Sequence, residues 1–78
     1  DRRADELNRR AELLRHCLKK LPERHRAIVV WRYYDECEVE TIAQKSDRSV
    51  VAVYRLLSRI REALNDCISR QLAASRMP

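Results

Sequence analysis

Leu7, Ala11, Leu14, Leu18 and Leu21 recur every three or four residues. That spacing predicts one helix over residues 1–21 with a single apolar face. Its first residues have little to bury, so 1–6 is expected to be a frayed lead. Pro22 then stands at the expected first position of a second helix, about 22–34, where its missing amide hydrogen costs nothing. Glu23 behind it suits the positive end of the helix dipole. This helix holds Ala27, Ile28, Val29, Val30, Trp31, Tyr33 and Tyr34 and is apolar nearly all the way round, as in a helix packed on several sides. Trp31 and Tyr34 read as core. Val29 and Tyr33 form a second strip, open either to core packing or to docking a partner helix.

Asp35-Glu36-Cys37-Glu38 breaks the pattern and predicts a turn. A short third helix follows at about 39–46, with Val39, Ile42 and Ala43 inward and Glu40, Gln44 and Lys45 outward. Ser46-Asp47-Arg48 is the next break, and Ser49 is a good N-cap for a long last helix, because its hydroxyl can accept a free amide hydrogen. At 100° per residue, Val53, Leu57, Ile60, Leu64, Cys67 and Ile68 fall within about 100° of arc and predict a core stripe. Val51, Tyr54, Arg55, Ser58, Arg59 and Glu62 take the opposite side. The expected fold is therefore all-α, a small four-helix domain over 7–73 with a C-terminal tail at 74–78.

Composition narrows the function. The chain has 78 residues, no Gly, two Pro, and a net charge of +5 from 17 basic and 12 acidic residues. Such a length allows one small core, which a deep substrate cleft would compete with. The lack of Gly argues against phosphate-cradling loops and tight β-hairpins. No apolar run approaches a membrane span. Basic charge sits on the flanks: residues 1–21 net +3, 22–47 net −2 and 48–78 net +4.

The three cysteines, Cys17, Cys37 and Cys67, are odd in number and widely spaced, unlike a disulfide scaffold. They read as small apolar residues in a reducing, cytoplasmic setting. With His16 and His25 they have no metal-ligand spacing, so neither a metal nor another cofactor is expected. Nothing orients a Cys-His pair for nucleophilic catalysis, and Glu38 and Glu40 read as a solvated face, so no enzyme is expected.

A short helix, a break of about three residues and a longer helix with an exposed basic first half make a helix-turn-helix pattern. Arg55 and Arg59 project from one face, each with a fork of donors for a guanine or a phosphate. Tyr54 can stack or touch a thymine methyl, and Ser58 can hydrogen-bond. Arg48 and Ser49 stand at the helix entrance, where a phosphate is favoured. Periodicity alone fits a solvated basic face of a bundle equally well.

The string Leu18-Lys19-Lys20-Leu21-Pro22-Glu23-Arg24-His25-Arg26, with Arg32-Tyr33-Tyr34, Glu40-Thr41-Ile42-Ala43, Arg48-Ser49-Val50-Val51-Ala52-Val53 and Leu57-Ser58-Arg59-Ile60-Arg61, resembles region 4 of bacterial sigma factors. The similarity runs over about residues 10–68 without a gap and is nearest the extracytoplasmic-function class. It implies a four-helix unit that binds the minus-35 promoter element as double-stranded DNA and docks on the β flap of RNA polymerase. An anti-sigma factor is a further implied partner, and the domain is read as a monomer without membrane contact. The family's base-reading positions fall on Tyr54, Arg55, Ser58 and Arg59. Its phosphate-holding positions fall near Arg32, Thr41, Arg48, Ser49 and Arg61, and Val29 and Tyr33 are assigned to the polymerase surface.

Glu36 and Asp47 replace the family's usual Gly, so both turns are expected to use helical or bridge geometry. Glu38 replaces its usual Ser cap, and Tyr54 replaces a usual Lys or Arg. Nothing matches the family's other principal domain, so the chain reads as a fragment or a stand-alone relative. Two other readings remain: a helical protein-interaction module with an acidic partner, and the DNA-binding output domain of a two-component regulator, which would dimerise through its last helix.

Overall fold

The computed structural model of the chain describes residues 2–76. Its elements are α1 (Arg2–Lys19), α2 (Glu23–Val29) continuing as a π-helical stretch (Val30–Tyr34), α3 (Val39–Ser46) and α4 (Val50–Arg76). The described residues contain helices and turns and no strand. The all-α expectation holds. Helix α1 starts at Arg2, and α4 runs three residues into the stretch expected as a tail; residues 77 and 78 lie outside the described residues.

Each junction has a local cause. Pro22 stands one place outside α2 as its cap, with φ −54° and ψ 146°, and its carbonyl accepts the His25 and Arg26 amides at 3.0 Å. Ser49 caps α4: its Oγ accepts the Ala52 N–H at 3.1 Å, which meets one of the helix's orphan donors. Glu38 makes no side-chain cap, yet α3 begins directly after it, with the Ile42 N–H on the Glu38 carbonyl at 3.1 Å. Packing of Val39 and Ile42 starts this helix without help from a cap.

Glu36 and Asp47 correct the expectation of helical or bridge geometry, since both adopt left-handed backbone at φ 55°. The closure of α3 demands it. The Asp47 N–H reaches the Gln44 carbonyl at 3.3 Å and the Arg48 N–H reaches the Ala43 carbonyl at 2.9 Å. This is the Schellman pattern, which turns the chain only if one residue goes left-handed. At Glu36 the Cys37 N–H bonds the Trp31 carbonyl at 2.8 Å and closes the widened π turn. A residue with a Cβ pays a steric cost of about 1 kcal/mol there that Gly would not.

The core lies where α2, α3 and the first half of α4 meet. Ile28, Val29, Val39, Ile42, Ala43, Val53, Leu56, Leu57 and Ile60 form one buried cluster, flanked by half-buried Leu18, Leu21, Trp31, Cys37, Val50 and Leu64. Ile42 and Val53 have no exposed surface at all, and each such side chain contributes about 1.5–3 kcal/mol of burial. Helix α1 packs chiefly on α4, and much of its surface is open, with Leu7 at 66% exposure and Leu14 at 36%. Two long helices side by side stretch the molecule to 46 × 23 × 17 Å.

Three expectations about the core change. Val29 is buried at 5% exposure rather than forming a partner surface, while Tyr34, expected inside, is 66% exposed. For Tyr34 the cause is the π-helical stretch, where the Asp35 N–H bonds the Val30 carbonyl at 3.0 Å, five residues back. A wider turn rotates less per residue, so Tyr34 falls short of the inward position that α periodicity assigns it. The third change concerns the cysteines. Cys17 is buried as expected, but Cys17 and Cys67 form a disulfide and leave Cys37 free. Both lie on facing stripes of α1 and α4 with Cα atoms 5.9 Å apart, within bridging range. Their separation of 50 residues hid this proximity from the linear pattern.

Candidate nucleic-acid interface

The turn from Asp47 to Ser49 and the first three turns of α4 carry Arg48, Arg55, Arg59 and Arg61, all exposed. Burial of Val53, Leu56, Leu57 and Ile60 against α2 and α3 fixes the rotation of α4, and this rotation turns its other face to solvent. Tyr54, Arg55, Ser58, Arg59 and Arg61 are all exposed. Arg48, Ser49, Val51, Ala52, Arg55, Leu56 and Arg59 line a shallow open groove of about 270 Å³.

The structure thus brings together four of the residues singled out from sequence: Arg48, Ser49, Arg55 and Arg59. Among the described residues, the side chains of Arg48, Arg55 and Arg59 have no hydrogen-bond or ion-pair partner. Their donors face water and are free to meet an anion. The left-handed turn at Asp47 sets Arg48 beside the start of α4, where unpaired backbone amides add positive potential.

Other sequence-derived residues lie apart from the groove. On the helical wheel Tyr54 and Arg61 fall within about 20° of each other, on one flank of the exposed face, with Ser58 between them and the arginine pair. Thr41 is exposed on α3. Arg32, exposed on the π-helical stretch, donates from Nη1 to the Cys37 carbonyl at 3.2 Å, so it also staples the turn that ends there. Neither Thr41 nor Arg32 lines the groove.

Two groups of residues are not singled out as functional by the sequence reading, although it places Val51 on the outward face of α4. Val51, 58% exposed, sits in the groove beside Arg55 and presents a methyl-bearing surface of the kind that contacts thymine. Its place four residues before Arg55 was the available signal. Val30 and Tyr34 join Tyr33 as exposed apolar side chains on the π-helical stretch, spaced i, i+3, i+4 as on one helix face. Nearby, the Lys45 ammonium lies 5.3 Å from the centre of the Trp31 ring and covers its half-buried face.

His16 is exposed and His25 half-buried. Among the described residues no three His, Cys, Asp or Glu side chains gather as a metal site, and no helix is long and apolar enough to cross a membrane. A family model described as sigma-70, region 4 matches residues 11–64, which takes in all the residues of the groove. No curated protein and no solved structure gives a match.

Proposed function

The chain belongs to the sigma-70 region 4 family, and from that premise we propose that it reads the minus-35 element of promoter DNA as part of an RNA polymerase sigma factor of the extracytoplasmic-function class. The observation that carries this reading is the groove at the start of α4, where Arg48, Arg55 and Arg59 converge with unpaired guanidinium groups. In this reading α4 enters the major groove by its N-terminal half. Arg55 and Arg59 reach base edges, Tyr54 and Ser58 contact the neighbouring bases, and Val51 lies against a thymine methyl. Arg48, Ser49, Arg61, Arg32 and Thr41 hold phosphates on either side and set the register.

The exposed strip of Val30, Tyr33 and Tyr34 serves as the polymerase-docking surface, in place of the Val29–Tyr33 pair, because Val29 is buried. Contact with polymerase supplies avidity that one small domain lacks. An anti-sigma factor would act by covering either surface. The two-component reading is less well supported, because the distal half of α4, its dimerisation element, is already packed against α1.

Fluorescence anisotropy with promoter duplexes selected from a random pool, repeated across a salt series, tests the function. A DNA reader should lose affinity steeply with salt, with log K falling by about 0.9 per phosphate held. Arg48→Ala should flatten that slope by about 0.9 while leaving base preference unchanged. Equal affinity for selected and scrambled duplexes, or a slope near zero, would remove the promoter reading.

A further inference from the structure

The Cys17–Cys67 bond lies outside everything the DNA-reading face uses. It ties α1 to the distal half of α4, and the ring it closes contains α2, α3 and α4 as far as Cys67. The apolar cluster of α2, α3 and proximal α4 ends at Ile60 and does not include Cys17. Beyond Ile60 the two long helices meet through partly buried side chains, Leu13 on α1 and Leu64, Ile68 and Leu72 on α4, and Leu18 of α1 packs against the edge of the cluster. The disulfide adds a covalent link across this seam. Cys17 is 2% exposed, whereas Cys67 is half-buried and is the more accessible partner of the bridge.

A promoter-reading domain works among thiol-reducing systems, where disulfides are uncommon and those that occur are mostly transient or redox-sensing. We propose that the Cys17–Cys67 bond is a reversible redox latch, set by low-molecular-weight thiols and disulfides, that clamps α1 onto the distal half of the recognition helix. This takes its intracellular setting from the function proposed above but not its chemistry. In opening, a thiolate RS⁻ attacks the Cys67 sulfur and displaces the Cys17 thiolate, which takes up a proton. A second RS⁻ then attacks the mixed disulfide, releasing RSSR and the Cys67 thiolate, which is protonated in turn. Two electrons pass from the two RSH molecules to the bridge. Closing runs the same steps backwards, with RSSR as oxidant.

The test equilibrates the full chain carrying Cys37→Ser in glutathione buffers from fully reduced to fully oxidised, and counts free thiols by alkylation and mass. Cys17 and Cys67 should change together, with both forms populated within the series. The bridged form should melt at least about 10 °C above the reduced form. Amides of α1 should exchange at least about tenfold faster after reduction, whereas those around Ile42 and Val53 should change less. Cys67→Ser should match the reduced form and ignore the buffer. A bridge that persists in every mixture, one that never forms, or one that forms without moving the melting point or the α1 exchange would each overturn the latch. Promoter-duplex binding is measured in parallel: if the bridge titrates as described but neither form binds duplex, the latch stands and the DNA-reading function falls.

Discussion

Helix α4 belongs to two regions that are stabilised in different ways. Its first half packs with α2 and α3 around Ile28, Ile42, Val53 and Leu57, all 2% exposed or less, and forms a well-filled core. Its second half meets α1 along a strip of partly buried side chains, with Leu7 largely in water, Leu14 about a third exposed and one disulfide across the seam. In the packed region contacts from both α2 and α3 fix the rotation of α4. In the braced region a covalent bond joins the two helices alongside partly buried side chains. A domain this small cannot bury both halves well, and burial is concentrated where orientation matters.

Substitutions on the two sides should separate sharply. Ile42→Ala, deep in the packed region, should cost about 2–5 kcal/mol and leave little folded protein, as read by denaturant unfolding. Arg59→Ala lies on the same segment of α4 but faces outward. It should weaken discrimination at one base position by about 1–3 kcal/mol in competition binding, with the melting point unchanged. A fall in stability comparable to that of Ile42→Ala would mean the exposed face is not free. Ser49→Ala removes the cap that starts α4 and should lower stability by about 1 kcal/mol. Glu36→Gly should act in the opposite direction and raise stability by about 0.5 kcal/mol, since relief of left-handed strain is partly offset by the freedom Gly gains when unfolded. Leu7→Ala, in the braced region, should stay within about 0.5 kcal/mol of the parent in urea unfolding. A larger loss there would show that α1 is held by packing after all.

Much of this was legible from local pattern. Helix α3 spans Val39–Ser46 as its apolar spacing predicts, and Ser49 caps α4 through the bond its side chain can reach. The outward position of Tyr54, Arg55, Ser58 and Arg59 also follows from counting 100° per residue against Val53 and Leu57. Leu56 was not assigned to the core because one stripe on a wheel assumes one neighbour. Proximal α4 has two, α2 and α3, and buries a wider arc. Gathering Arg48 with Arg55 and Arg59 was only half visible, because Arg48 precedes the helix and its direction depends on the backbone at Asp47.

Helix existence, the faces of α3 and α4 and the excess of basic charge on the last helix came from sequence, because each depends on residues within a turn or two of one another. The face of α1 did not, since Leu7, Ala11 and Leu14 are exposed while Leu13 and Cys17 turn inward. The left-handed closures at Glu36 and Asp47, the outward swing of Tyr34 and the pairing of Cys17 with Cys67 came only from the structure. The first three follow from backbone bonds three to six residues long that apolar spacing does not record, and the cysteine pairing from what lies across the interior. Partners brought together by packing can be fifty residues apart in the chain, and no local spacing records them.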